Sequence, residues 1–403
     1  MEALQPKLRF PGFKGDWEEK KLLDVSSKSK YGLNASAKEY DGENGYIRIT
    51  DIDEQSRTFL RAKITSPSDF DDDYLLTEND LLFTRTGAST GKTYLYDRKD
   101  GKLYFAGFLI KFNINNANSR FVFYHTLQST YDKWVGVMSM RSGQPGINAE
   151  EYSSLPIIVP SIDEQTKIAT FLTAVDEKLN LLKEKKALLE AYKKGMMQKL
   201  FTQEVRFKDD NGEDFEDWEE KRLKELVKIY DGTHQTPTYV ENGIPFYSVE
   251  HITANQFEKT KFISEDVFNK ENLRVKLEKG DILMTRIGSI GVARLIDWDV
   301  KASFYVSLAL LKKSNKISNN YLVHFINSAF FQNELWERTI HVAFPQKINL
   351  GEIGDCLVLF PNEKEQTKIA DFITAVDKKI EMVNDQIDHT QEYKKGLLQQ
   401  MFV

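Results

Sequence analysis

The sequence predicts an α+β chain in which two mixed α/β domains alternate with two long helices that pair as a coiled coil. Three observations carry that expectation: a segment that returns almost unchanged half a chain later, an apolar seam of helical period within each copy, and short alternating strand patterns between the copies.

The repeat is explicit. "DEQTKIATFLTAVDEKLN" from Asp163 returns as "KEQTKIADFITAVDKKIE" from Lys364, with a constant offset: Gln366 minus Gln165 is 201, as is Asp377 minus Asp176. The offset persists downstream, where "YKKGMMQKLF" from Tyr192 answers "YKKGLLQQMF" from Tyr393. It also holds upstream, where "DWEEKKL" from Asp16 answers "DWEEKRL" from Asp217. Between these anchors only islands match, such as "NDLLFTRTGASTGK" from Asn79 against "GDILMTRIGSIGV" from Gly280, and "QPGIN" from Gln144 against "PQKIN" from Pro345. The period is too long for a solenoid and indicates duplication of a whole unit. The chain therefore divides into a domain at 1–160, a helix at 161–203, a domain at 204–361 and a helix at 362–403.

Each repeated segment is helical by spacing. Ile168, Leu172, Val175, Leu179, Leu182, Lys186, Leu189, Lys193, Met196 and Leu200 step by three and four residues. So do Ile369, Ile373, Val376, Ile380, Val383, Ile387, Thr390, Lys394, Leu397 and Met401. Both form an a/d seam with a few polar breaks. Start signals precede each: Pro160 and Ser161 with Glu164, and Pro361 and Asn362 with Glu365, the first reading as a capping box. Gly195 and Gly396 weaken the last turns by roughly 1 kcal/mol relative to Ala and are places to bend or stop. A helix that merely packs on its own domain is the alternative, but a seam of this length favours a partner helix with a matching seam.

The intervening segments mix patterns. "NGYIRITDI", "IPFYSVEHI", "GKTYLYD" and "VARLID" alternate as strands, whereas "RFVFYHTLQSTYDKW" and "NYLVHFINSAFFQNELW" have the aromatic faces of helices. Trp17 and Trp218, matched in both halves, read as core anchors.

Composition is that of an ordinary soluble protein, with 41% hydrophobic and 29% charged residues. Its apolar runs are too short to span a bilayer, and the N-terminus lacks a signal-peptide core, so a cytoplasmic location is expected. Cys356 is the only cysteine, which leaves no internal disulfide and no thiolate metal cluster. The net charge of −6 argues against nucleic acid unless basic loops are segregated from acidic runs such as Asp69–Asp73.

Catalytic signatures are missing. Gly87–Thr93 comes near a phosphate-cradling loop but is one residue short between its glycines, and the second copy has no lysine. A strand-to-strand turn accounts for it better. The six histidines include no His-x₃-His pair, nothing marks a serine–histidine–acid site, and Cys356 lies in an apolar run and reads as core. A chain with so little chemistry is expected to be one part of a larger enzyme.

The paired "EQTKIA" helices, "YKKG" before each helix end, "RFPGFKGDWEEKKL" and the two "L-x-T-R-x-G" islands resemble the specificity (S) subunits of type I restriction–modification systems. The resemblance covers essentially the whole chain. It implies two target-recognition domains, each reading half of a bipartite double-stranded DNA site. It implies long helices lying antiparallel as a spacer rod, which makes the chain pseudo-two-fold symmetric. Two modification subunits holding S-adenosylmethionine would dock on it and methylate adenine. Restriction subunits using ATP and Mg²⁺ would complete a nuclease, and no cofactor would sit in this chain.

A pseudo-two-fold reader offers two similar surfaces to the duplex, and polar side chains on loops read the bases while basic ones grip phosphate. Candidate DNA contacts are Arg85, Lys92, Arg141 and Gln144 in the first half. In the second they are His234, Gln235, Arg286, Gln346 and Lys347. Arg85 and Arg286, alike in both halves, are assigned to phosphate or scaffold; Gln144, His234 and Gln235 to bases. The helix-pair seam is assigned to Leu172, Val175, Leu179 and Leu182 against Ile373, Val376, Ile380 and Val383. The competing readings are a pure assembly protein and, more weakly, a single-chain nuclease or methyltransferase.

Overall fold

A computed structural model describes residues 5–140 and 143–403. Two compact units emerge, and they cut across the helices: one joins the chain up to Lys183 with Asp385–Val403, the other is Glu184–Asn384. The central helix runs Ile162–Phe201 and the C-terminal helix Glu363–Gln400, so each unit owns part of both.

In the first unit a four-stranded antiparallel sheet runs in the order Lys30–Tyr31, Leu109–Asn113, Asp80–Thr84, Thr93–Leu95. Asp80–Thr84 is buried along its whole length because both faces are covered. Leu81 and Phe83 point to a core shared with helices Ser119–His125 and Ser129–Met138, while Leu82 points to a second core with Ile47, Leu103 and Phe105. This is the period of two that a pleated strand imposes. The second unit repeats the design: Ile229–Asp231, Leu308–Leu311, Ile282–Thr285 and Ala293–Leu295 form the sheet. Ile282 and Met284 face one core and Leu283 the other.

The matched "DWEEK" islands form equivalent strands. Glu18–Lys21 pairs with Pro156–Val159, and Glu219–Arg222 with Leu357–Phe360, both antiparallel and in the same register. These ribbons deliver the chain to the start of each long helix. There Gln165 is buried, accepting from the Asn118 backbone N–H at 2.9 Å and donating to the Pro160 carbonyl at 2.9 Å. Gln366 repeats both bonds with Ser318 and Pro361.

The helices pair antiparallel within each unit. In the first, Leu172 and Val175 share a core with Leu397, Leu398 and Met401 from the far end of the C-terminal helix. In the second, Met197, Leu200 and Phe201 share one with Ile369 and Ile373 from its beginning. Leu179, Val376 and Val383 are buried, and Leu182 and Ile380 half-buried.

Three local expectations change. Glu164 does not close a capping box: its carboxylate takes a two-pronged bond from Arg9, at 2.8 Å to each oxygen, and Glu365 does the same with Arg206. A buried carboxylate is better satisfied by a guanidinium fork than by one backbone N–H. The seam reaches Met197 rather than Met196 at its end, and the helices run through Gly195 and Gly396 without stopping. "VEHI" is not strand, since Val249–Ala254 is helical after Ile244–Tyr247.

Trp17 is buried against Phe121 and Phe402, and Trp218 is half-buried with Nε1 donating to Glu365 at 2.7 Å. Cys356 is fully buried. Among the described residues no helix is long and apolar enough to cross a membrane.

Candidate nucleic-acid interface

In each unit the structure brings together two sequence islands that lie some 60 residues apart. In the first, the strand Asp80–Thr84 leads into Arg85 and a tight return through Gly87 and Gly91, whose φ angles of +77° and +90° suit glycine. The turn then re-enters the sheet at Thr93–Leu95. The "QPGIN" segment is stitched along it: Gly87 N–H donates to the Pro145 carbonyl at 3.0 Å, and Ile147 N–H to the Arg85 carbonyl at 2.9 Å. In the second unit Gly288 N–H donates to Gln346 at 2.8 Å and Ile348 N–H to Arg286 at 3.0 Å. The backbone frame is therefore the same in both.

A third strand completes it. Gly32 and Gly232 lie where the chain passes against a neighbouring backbone; a Cβ would fall 2.1 Å from the Ala106 carbonyl oxygen in one case and 2.1 Å from that of Phe304 in the other. Only glycine fits there. The residue before each glycine meets the shared arginine. Arg85 stacks its guanidinium over the Tyr31 ring, 4.9 Å from the centroid. Arg286 instead lies 3.7 Å from Asp231 and donates to the Val306 and Ile348 carbonyls at 2.9 and 3.0 Å.

Asp231 is the hub of the second frame. It bonds His234 Nε2 at 2.8 Å, pairs closely with Arg274, and stands beside Arg286. Burial acts to raise its pKa, but the bonds from Arg274 and His234 outweigh that and hold the carboxyl below its usual range. Burial also lowers the Arg286 pKa, opposed by Asp231.

The candidate contacts separate by exposure. Gln144, His234, Gln235 and Lys347 are exposed, Arg85 and Gln346 half-buried. Arg286 is buried and works as scaffold. Lys92 is buried too, its ammonium 2.6 Å from Glu54 and 3.1 Å from the Ile52 carbonyl, so its charge is neutralised inside the fold and not presented to phosphate. The matching position holds Val292, so the lysine is not part of the shared frame. Arg141 lies outside the described residues. Sequence reasoning missed Tyr31, Asp231 and Arg274. The shared glycine after the first two was the available signal, but its reason is a close backbone approach that spacing does not display. Among the described residues no cluster of His, Cys, Asp or Glu could hold a metal ion.

Two like units, each presenting exposed polar side chains on a common rigid frame, define a duplicated recognition protein. The model of the type I restriction modification DNA specificity domain matches twice, at residues 14–191 and 215–390, and the chain belongs to that family. It is a non-catalytic specificity subunit with two DNA-recognition domains. It is 27% identical over 340 residues to the type I restriction enzyme MjaVIII specificity subunit of Methanocaldococcus jannaschii, covering 80% of this chain and 78% of that protein. The putative MjaX specificity subunit of the same organism is 25% identical, covering 95% and 92%. The crystal structure of a type I restriction–modification S subunit from M. genitalium shares the fold with a TM-score of 0.64 at 15% identity, covering 99% of each chain. A chain from a study of complex assembly and conformational transition of a type I system matches at 0.55 and 15%, covering 97% and 98%.

Proposed function

We propose that this chain reads a bipartite double-stranded DNA site, one half through residues 1–160 and the other through 204–361. The helices at 161–203 and 362–403 set the spacer and dock two modification subunits, which use S-adenosylmethionine to methylate adenine. Restriction subunits, with ATP and Mg²⁺, join the same assembly for cleavage, in the cytoplasm. One observation supports this above others. The two frames share their backbone bonds, yet the exposed side chains on them differ: Gln144 in one, Lys347, His234 and Gln235 in the other. A common scaffold with different polar tips is what two half-sites of unlike sequence require.

The test is to map methylated adenines in DNA from cells expressing the chain with its modification partner. One bipartite motif is expected, and exchanging residues 20–155 for those of a relative should change one half only. Change in both halves would sink the modular reading. The net charge of −6 favours a second reading, a pure assembly role; salt-dependent, sequence-selective binding by the complex separates the two.

A further inference from the structure

We propose that the loop following helix Ala329–Arg338 is a wedge for double-stranded DNA, with Phe344 as the side chain that enters between base pairs; this rests on the reading of the second domain as a DNA reader. The loop is built rather than slack. Ile340 N–H donates to the Lys347 carbonyl at 2.8 Å, and the same two residues form a backbone bridge that closes its neck. At the base His341 packs its ring 4.1 Å from that of Trp336 and places Nε2 2.9 Å from the Trp336 carbonyl oxygen. Beyond the neck Val342 and Phe344 are fully exposed.

Leu273 and Trp336 of this unit are exposed as well, but every other phenylalanine described in it is buried or half-buried, Phe325 and Phe331 completely. A phenylalanine held out on a closed loop forgoes the transfer free energy of burial, which a partner covering it would return. The surroundings indicate which partner. Lys347, on the other side of the neck, bridges to Ile287 in the turn that carries Arg286, so the tip continues the frame of His234 and Gln235. His341, Gln346 and Lys347 flank the apolar tip with polar and cationic groups. Trp336 is itself exposed where His341 covers the loop base. The tip proper, however, carries only Val342 and Phe344 between polar neighbours, and a duplex offers stacked apolar bases behind a rail of phosphates to match both. Apolar wedges at such positions unstack a base step and kink the duplex.

The full chain with its modification subunit is bound to a duplex carrying its mapped site, with fluorophores at both ends to report bending. The wild-type complex should bend the duplex. Phe344→Ala should reduce the bend and weaken binding about tenfold, Phe344→Trp should retain both, and assembly with the modification subunit should not change. Because Phe344 touches no core, the variant's melting temperature should match the wild type's. An unbent wild-type complex, or a Phe344→Ala complex with unchanged bend and affinity, overturns the wedge. Loss of assembly instead assigns the tip to a protein contact and also overturns it. A wild-type complex without sequence preference overturns the specificity reading itself, a result distinct from all of these.

Discussion

Lys394 Nζ stands 2.6 Å from Asp176 Oδ1, and Lys193 Nζ stands 2.6 Å from Asp377 Oδ1. These are one interaction written twice, since 176 and 377, like 193 and 394, differ by 201. Each lysine interrupts the apolar seam of its own helix and meets the aspartate of the other. Only antiparallel helices let both pairs form. Each aspartate is also held from its own domain: Tyr124 OH donates to Asp176 at 2.8 Å, and His324, at the matching position, lies 3.9 Å from Asp377 and 3.0 Å from Thr374.

A double-mutant cycle on Asp377→Ala and Lys193→Ala should give a coupling of about 0.5–1 kcal/mol that shrinks in high salt, because both side chains are partly exposed. A cycle on Asp176 and Lys394 should agree within error. Zero coupling in both would mean that the pairs do not fix the helix register.

Arg286→Ala should cost about 2–4 kcal/mol, since it strands the Val306 and Ile348 carbonyls and removes a cation beside Asp231. Thermal melting should fall by roughly 5–15 °C, and Arg286→Lys should recover little because one ammonium cannot reach both carbonyls. His234→Ala, an exposed substitution, should leave melting nearly unchanged while altering the methylated half-site. If Arg286→Ala melts like the wild type, the arginine is not scaffold.

Burial pushes His324 down to about 4 from its ordinary 6.5, against Asp377, which acts upward, and with Lys193, which also acts downward. The folded state therefore keeps the ring neutral while the unfolded chain takes up a proton near pH 6.5. Stability should be flat above that pH and fall as pH drops from about 6.5 towards 4, by a contribution on the order of 2 kcal/mol. His125, fully buried and lowered to about 4, adds a term of the same sign. His324→Tyr, which copies Tyr124 of the first unit, should remove the His324 share of that loss and leave the His125 share; denaturation at pH 7 and pH 5 checks it.

If the helices set the spacer, lengthening both should lengthen it. Duplicating Leu179–Leu182 together with Ile380–Val383 adds about 6 Å to each helix at 1.5 Å per residue. That corresponds to roughly two base pairs at 3.4 Å each. Four residues nearly complete a turn, so the seams stay close to register. Methylation mapping should return both half-sites with the gap widened by about one to two base pairs. An active, folded variant with its original spacer would leave the helices as docking surfaces only.

The sequence by itself determined the duplication, the two long helices and the mixed α/β character between them. A repeat, a seam of period 3.6 and an alternation of period 2 are local and survive divergence. It also marked the islands around Arg85 and Arg286, and Gln144 and Gln346, as carrying candidate contacts. Which of those residues face solvent was decided by tertiary structure alone. Lys92 and Arg286 look like surface cations in sequence, but the fold surrounds them with Glu54, Asp231 and backbone carbonyls drawn from 40 to 60 residues away. The partners of Lys193 and Lys394 were hidden for the same reason. In one helix they are defects in a stripe, and only the antiparallel neighbour, far away in sequence, supplies the charge that explains them.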